Sequence, residues 1–289
     1  MSKLYVIGNG FDLAHNIHCK YSDFKIYCEQ YAQEMYQRMN LFYTDTDKLW
    51  CDFEAEMPNI NENKLFDWAR NLPNQKRFPL LNDDDRFIKN VQDEVDFMDG
   101  IKVVFRDWIM SIDINHIEPL FQIDPGSKFI TFNYTKLLER VYSVSRHNII
   151  YIHGVAEGNF PTIIVGHDKS DTELQVMFQY NNGLENEACQ EIVDLVKGWR
   201  KDTTKIINEY DKFFTTLGDV KEVVVLGHSM ANVDMPYFNK IKECIDENSK
   251  WIFSVYDKRD EDRKKDAIRE LELPQNRYKL ISLEKLAID

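Results

Sequence analysis

The chain has 289 residues, of which 43% are hydrophobic and 29% are charged. This composition is ordinary for a globular protein and excludes an intrinsically disordered chain. The 36 Lys and Arg residues against 49 Asp and Glu residues give a net charge of −13. Because phosphate neutralisation supplies most of the affinity of a DNA-binding protein, this charge argues against a nucleic-acid partner. Five widely spaced cysteines without a CxxC pair, and no long apolar run, predict a cytoplasmic protein with free thiols and no membrane partner.

Short, continuous apolar segments predict the strands of a sheet. The first covers residues 4–7 and runs directly into a glycine-rich turn. Further strands are predicted at residues 128–132, 148–152, 162–165, 222–226, 251–256 and 279–281. Because these segments are continuously apolar rather than alternating, they indicate a sheet that is covered on both faces and is therefore mostly parallel.

Apolar residues spaced by three and four predict helices between these strands. One runs from Phe24 to Met39, a single helix of about thirty residues runs from Phe87 to Ile112, and a helical stretch covers residues 184–217. We therefore predict one α/β domain over residues 1–289, with a Rossmann-like, mostly parallel sheet and two large helical insertions. The sheet core comprises about residues 1–20, 125–169 and 218–289, and the insertions are residues 21–124 and 170–217.

Small or polar residues follow five of the predicted strands. In an open parallel sheet, ligands bind at the carboxyl ends of the strands, so these residues are expected to converge on one cleft. The motifs are GNGFD after the first strand, FNYT, HG and GHD after the next three, and GHSMANVD after the fifth. The candidate site residues are Gly8, Asn9, Gly10, Phe11, Asp12, Asn133, His153, Gly227, His228, Ser229 and Asp234.

The paired-glycine turn suits a phosphate, because glycine lets the backbone approach and the following helix offers N–H groups. Leu13 stands where the dinucleotide fingerprint has its third glycine, and no GK[ST] sequence occurs. These departures argue against a dehydrogenase or a P-loop NTPase. A tight turn that binds no ligand remains the structural alternative, and Asp12 and Asn133 could equally cap helices.

A metal site and a serine hydrolase are two other chemistries that these residue types bring into question. The histidines at 153, 167 and 228 have no compact metal-ligand spacing, so no metal is predicted. The segment around Ser229 is similar to a nucleophile elbow, but no histidine follows it in the chain, as the α/β-hydrolase order requires. A serine hydrolase using Ser229 is therefore a minor alternative.

The opening LYVIGNGFDLAH together with LWCDFE, ITFNYT, IHG, VGHD and VVVLGHSMANVDMPYF resembles the AbiH family, bacterial proteins of abortive infection by phage. The order of glycine turn, strand-Asn, His-Gly and Gly-x-Ser is also distantly similar to sirtuin-like NAD-binding domains. That similarity implies NAD as substrate or ligand, with pyrophosphate at the glycine turn, ribose and water at Asn133, and a ribose hydroxyl at His153. The four-cysteine zinc ribbon of sirtuins is missing here, so protein deacylation is not implied.

The resemblance implies an anti-phage effector that cleaves the nicotinamide–ribose bond of NAD, with Asn133, His153 and Asp12 as catalytic residues. Glu54 or Asp234 could also place a carboxylate near the sugar. A nucleotide-binding sensor or interaction protein without turnover is the alternative. The expected partners are a dinucleotide, a phage-derived trigger, and a second copy of the chain bound through the helical insertions.

Overall fold

The computed structural model describes residues 2–72, 81–158, 163–178 and 183–287. The described residues form one six-stranded, all-parallel sheet in the order β3-β2-β1-β4-β5-β6, which is the strand order of the Rossmann fold. The strands are β1 (Lys3–Ile7), β2 (Lys128–Thr131), β3 (Ile149–Tyr151), β4 (Glu222–Leu226), β5 (Lys250–Val255) and β6 (Tyr278–Ser282). The predicted α/β class with a parallel sheet is confirmed.

Helices make up the rest of the regular structure. The α-helices are α1 (Asn9–Ala14), α2 (Tyr21–Tyr31), α3 (Gln33–Phe42), α4 (Thr46–Cys51), α5 (Phe53–Glu56), α6 (Glu62–Asn71), α7 (Asp83–Asp99), α8 (Ile101–Ser111), α9 (Leu137–Arg140), α10 (Asp171–Met177), α11 (Gly183–Gly198), α12 (Thr203–Glu209), α13 (Asp211–Phe214), α14 (Met235–Cys244) and α15 (Lys258–Glu270). Short 3₁₀ helices lie at Arg146–Asn148, Thr215–Asp219, Asn232–Asp234, Gln275–Arg277 and Leu283–Leu286.

The chain divides into two compact units. The first comprises Met1–Cys19, Ile109–Gly158 and Asp202–Asp289 and contains the sheet; the second comprises Lys20–Trp108 and Asn159–Lys201. Within the first unit, β1 and β4 are buried from their second residue to their last. Side chains on both faces are therefore removed from water, which explains why these strands are continuously apolar. Burial of each Val or Leu side chain contributes about 1.5–3 kcal/mol.

An aromatic cluster forms the core of the second unit. The ring of Phe24 lies 5.0 Å from the rings of both Phe53 and Phe105, 5.1 Å from Trp108 and 6.0 Å from Trp50. Phe24 is the first residue of the predicted 24–39 helix, and the structure buries it completely. That predicted helix is divided into α2 and α3, which meet at Ala32.

The prediction of one long helix over residues 87–112 is wrong in one respect. The segment forms two helices, α7 and α8, separated by Gly100. The N–H of Gly100 donates to the carbonyl of Phe97 instead of the carbonyl four residues back. Glycine is one of the poorest helix formers because its backbone loses the most freedom on ordering. The apolar spacing continues through the break, so periodicity alone could not reveal it.

The predicted strand at residues 162–165 is also wrong. Thr162 lies outside the described residues, and residues 163–165 form no strand. Ile163 and Val165 are buried, which accounts for their apolar pattern. The backbone pairs only at His167, which forms an isolated bridge with Arg200. Gly166–Asp168 therefore does not follow a strand of the sheet, and it belongs to the second unit.

The register of the sheet aligns the carboxyl ends of its central strands. Ile7 of β1 pairs with Thr131 of β2 and with Leu226 of β4, and Thr131 pairs with Tyr151 of β3. The residues that follow these four strands therefore emerge at the same edge. In this strand order, the crevice between β1 and β4 is the switch point at which Rossmann-like sheets bind ligands.

The turns after β1 and β4 are packed directly against each other. The Gly10 N–H donates to the Gly227 carbonyl at 2.8 Å. Gly227 has a φ of +62°, and a Cβ built there would lie 2.0 Å from the Phe11 nitrogen. A Cβ on Gly8 would lie 2.4 Å from the Cα of His228. The glycines of both motifs are thus required by the contact between the two turns.

We predict that Gly227→Ala destabilises the protein by about 2–5 kcal/mol, because it combines a left-handed backbone with overpacking against the first turn. Gly218→Ala is the matched control, since a Cβ there meets nothing within 4 Å. Urea denaturation of both variants measures the difference. Equal stabilities of the two variants would contradict the close packing of the turns.

Candidate functional site

The turn after β1 uses its backbone N–H groups within the protein. Gly8 donates to the carbonyl of Leu226 at 3.0 Å, Gly10 to Gly227 at 2.8 Å, and Phe11 to Gly8 at 2.9 Å. The predicted pyrophosphate contacts need free N–H groups at this turn. The N–H groups of Gly8, Gly10 and Phe11 therefore have protein acceptors in the ligand-free protein.

The side chains of Asn9 and Phe11 are also engaged in the fold. The Nδ2 atom of Asn9 donates to the carbonyl of Cys19 at 3.1 Å, and the Cys19 thiol donates to Asn9 Oδ1 at 2.9 Å. This pair ties the start of α1 to the loop that follows it. Phe11 is fully buried, and its ring lies 5.3 Å from the ring of Phe121. Both residues thus have structural roles in the ligand-free protein.

Asp12 is a buried carboxylate with two short hydrogen bonds. It is 1% exposed, and its two oxygens accept from Asn133 Nδ2 and from Thr135 Oγ1, each at 2.6 Å. Burial raises the pKa of Asp12 to about 6, although both hydrogen bonds act in the opposite direction. Asp12 does not cap α1, because the N-cap residue is Gly8. The carboxylate instead joins α1 to the end of β2.

The hydrogen bond from Asn133 to Asp12 fixes the orientation of the Asn133 amide. A carboxylate oxygen only accepts, so the NH₂ group of the amide has to face it. Asn133 Oδ1 therefore points elsewhere, and this buried atom has no hydrogen-bond partner among the described residues. Asn133 also caps no helix, since the N-cap of the following helix α9 is Lys136. The site thus holds a buried acceptor whose direction is set by Asp12.

His153 lies at the same edge as Asn133, after the neighbouring strand β3. The backbone N–H of Ile152 donates to the carbonyl of Thr131 at 2.9 Å, so the ends of β2 and β3 are level. The His153 ring is buried and lies 5.4 Å from the ring of Phe132 and 6.2 Å from that of Tyr237. The structure therefore places His153 in an aromatic cluster beside the Asn133 segment.

His228 reaches the same cluster from the turn after β4. Its ring lies 4.2 Å from the ring of Phe132. Its Nδ1 accepts from the backbone N–H of Met230 at 2.9 Å, so a neutral His228 carries its proton on Nε2. That nitrogen lies 3.6 Å from Oδ2 of Asp234. These contacts hold the ring between Met230 and Asp234.

Glu54 and His167 belong to the second unit. Glu54 accepts from the hydroxyl of Tyr21 and from Lys201 Nζ, each at 2.9 Å. His167 Nε2 lies 2.9 Å from the carbonyl of Val196. Both side chains thus have structural partners within that unit. Among the described residues, no cluster of three or more His, Cys, Asp or Glu side chains could hold a metal ion.

Residues 4–255 match the family model described as bacteriophage abortive infection AbiH. The chain belongs to the AbiH family. Its role is therefore in abortive infection, a defence against phage. Every candidate site residue of this AbiH protein lies within the matched segment. A search of curated proteins finds no match. Among the described residues, this AbiH protein has no helix that is both long and apolar enough to span a membrane.

Two residues of the site were not predicted from the sequence. Thr135 bonds to Asp12, and Tyr237 packs against Phe132 with a ring separation of 5.4 Å. The FNYT motif contained Thr135, but no sequence signal linked its hydroxyl to a carboxylate 123 residues away. Tyr237 is part of the apolar face of α14, so its position in the sequence indicated core packing alone.

We predict that Asp12→Asn stabilises the protein relative to wild type, increasingly so as the pH rises from 5 to 8. The folded-state pKa of Asp12, about 6, lies above its ordinary value of 3.8. The stability associated with its proton is therefore complete below pH 3.8 and is lost as the pH rises through 6. Asparagine stays neutral, so the difference grows by about 1 kcal/mol over this range. Thermal melting at several pH values measures it.

Asp246→Asn is the control for this experiment. The hydrogen bond from Lys221 holds the pKa of Asp246 below its ordinary value. Its contribution is therefore constant above pH 5 and is lost only at lower pH. The difference between Asp246→Asn and wild type should not change between pH 5 and 8. A flat profile for Asp12→Asn as well would show that Asp12 is not a destabilised buried carboxylate.

Proposed function

We propose that this AbiH protein acts in abortive infection by cleaving the nicotinamide–ribose bond of NAD. The observation that carries the proposal is the buried, unbonded Oδ1 atom of Asn133 beside the Asp12 carboxylate. An unsatisfied buried acceptor costs about 1–3 kcal/mol, and a ligand that supplies the missing donor removes that cost. A ribose hydroxyl is a donor of the required kind.

The location of Asn133 supports a nucleotide as that ligand. The Asn133 segment follows β2, next to β1, and Rossmann-like sheets bind nucleotides outside the carboxyl ends of these strands. The proposed contact is to the ribose. Because the N–H groups of the glycine turn donate to protein carbonyls, we assign no pyrophosphate contact to them.

The chemistry requires few groups. The oxygen of a water molecule forms a bond to C1′ and loses a proton to solvent, while the C1′–nitrogen bond breaks. The bonding electron pair leaves with nicotinamide as a neutral ring, so no general acid is needed. The site has to stabilise an oxocarbenium-like ribose. His153 accepts the proton of a ribose hydroxyl, a contribution of about 10²–10⁴-fold. Asn133 holds the sugar, and Asp12 positions Asn133.

A nucleotide-binding sensor without turnover is the second candidate function. Because the glycine turn is hydrogen-bonded and Asn133 and His153 are buried, a ligand reaches these groups only if the structure rearranges, and a rearrangement on binding is what a sensor requires. The two functions differ in one product. Release of nicotinamide from NAD supports the enzyme, and saturable NAD binding without release supports the sensor.

We predict that Asn133→Ala and His153→Ala each reduce nicotinamide release from NAD by at least about 100-fold. The assay uses purified protein with and without phage lysate, because a phage-derived trigger is part of the proposal. Asn276→Ala replaces an exposed asparagine of the same unit and should leave release unchanged. Melting curves establish that all variants fold.

Three results would contradict parts of this proposal. Equal release by wild type and His153→Ala would remove the proposed base. Absence of nicotinamide release under every condition would exclude the enzyme. Loss of an esterase activity in Ser229→Ala, with His153→Ala unaffected, would favour a serine hydrolase.

A further inference from the structure

Tyr237 carries a buried hydroxyl that the proposed mechanism does not use. The residue lies in the first turn of α14, directly after Pro236. Its side chain is 0% exposed, and its hydroxyl has no hydrogen-bond partner among the described residues. Leaving a hydroxyl buried and unbonded destabilises the folded state. A phenylalanine would fill the same volume without that cost, so packing alone does not explain a tyrosine here.

Tyr142, in the same unit, shows how a buried tyrosine is normally accommodated. Its hydroxyl accepts from the backbone N–H groups of Leu120 and Phe121, at 3.0 and 3.1 Å. With both acceptor positions used, it donates its own proton to Nε2 of His15 at 2.6 Å. All of its hydrogen-bonding capacity is satisfied within the fold. Tyr142 is therefore a matched control for Tyr237.

The ring of Tyr237 packs against the residues of the candidate site. Its centroid lies 5.4 Å from that of Phe132 and 6.2 Å from that of His153, both at steep interplanar angles. Phe132 directly precedes Asn133, whose Oδ1 atom is also buried and unbonded. Burial raises the pKa of Tyr237, so its hydroxyl stays protonated and can donate. The Tyr237 hydroxyl and Asn133 Oδ1 are thus both buried and unbonded, and the Tyr237 ring packs on the residue that precedes Asn133.

An unused acceptor and an unused donor match a ligand group that has both functions. A ribose offers hydroxyls that donate and oxygens that accept. We propose that Tyr237 is a ligand-binding residue whose hydroxyl donates a hydrogen bond to a ribose oxygen of the nucleotide held by Asn133. The inference deepens the proposed function and rests on it for the identity of the ligand.

The first test concerns the ligand-free protein. Tyr237→Phe removes only the unbonded hydroxyl, so its melting temperature should equal or exceed that of wild type. Tyr142→Phe removes a hydroxyl with three hydrogen bonds and should lower the melting temperature. A drop for Tyr237→Phe of the size seen for Tyr142→Phe would show that the hydroxyl has a structural partner, and would overturn the inference.

The second test measures binding of ADP-ribose, which keeps the ribose but has no nicotinamide to lose. Tyr237→Phe loses one hydrogen bond to the ligand, so its dissociation constant for ADP-ribose should be about tenfold higher than that of wild type. Titration calorimetry measures both constants. Tyr142→Phe should bind as wild type does. Equal affinities of wild type and Tyr237→Phe would overturn the inference, whatever the melting temperatures show.

The outcomes separate this inference from the proposed function. Suppose that wild type binds ADP-ribose, that Tyr237→Phe binds it more weakly, and that wild type does not cleave NAD. The ribose contact then stands and the enzymatic proposal fails. If wild type cleaves NAD and Tyr237→Phe has unchanged ADP-ribose affinity and unchanged KM, the enzyme stands and the role of Tyr237 is wrong. If wild type binds neither ADP-ribose nor NAD, both fail.

Discussion

The buried carboxylate of Asp12 is the interaction on which the candidate site depends. It lies within α1, two residues after the glycine turn, and accepts hydrogen bonds from Asn133 and Thr135 beyond the end of β2. Because an ionised carboxylate cannot donate, it determines which end of the Asn133 amide faces it. The same burial that makes these bonds strong makes ionisation costly, and the pKa of Asp12 rises to about 6. Shifted pKa values of this kind cluster at functional sites.

The glycines of the turn after β1 serve a close contact within the protein. A paired-glycine turn after a first strand is typical of phosphate binding, because glycine permits close approach. In this protein the group that approaches is the turn after β4, whose Gly227 carbonyl accepts from Gly10. In both cases the backbone has to be free of a Cβ atom, but the group that approaches here is another turn of the protein and not a phosphate. A glycine motif therefore indicates close approach to the backbone and does not identify what approaches.

Most of the sheet could be predicted from the sequence, because strands such as β1 and β4 are continuously apolar and bounded by glycine. The segment at 163–165 has the same apolar character, since Ile163 and Val165 are buried, but it makes no ladder. Burial determines the apolar pattern, whereas pairing depends on a neighbouring strand that the local sequence does not specify. The division of the 87–112 helix at Gly100 likewise leaves the apolar spacing unchanged.

The sequence could predict where the site residues lie on the backbone, but it could not predict their side-chain contacts. Parallel strands bring their carboxyl ends to one edge, so Asn133 and His153 could be assigned to that edge. The hydrogen bond from Thr135 to Asp12 and the unbonded hydroxyl of Tyr237 depend on side-chain packing between segments that are more than 100 residues apart. Such contacts carry no periodic signal. They form only in the folded protein, where α1, β2 and α14 come together.

The most direct test of the account is a crystal structure of the protein with ADP-ribose bound. The account predicts a ribose oxygen at about 3 Å from Oδ1 of Asn133, with the Asn133 amide still donating to Asp12. A ribose bound elsewhere, or an Asn133 amide turned away from Asp12 in the complex, would contradict it.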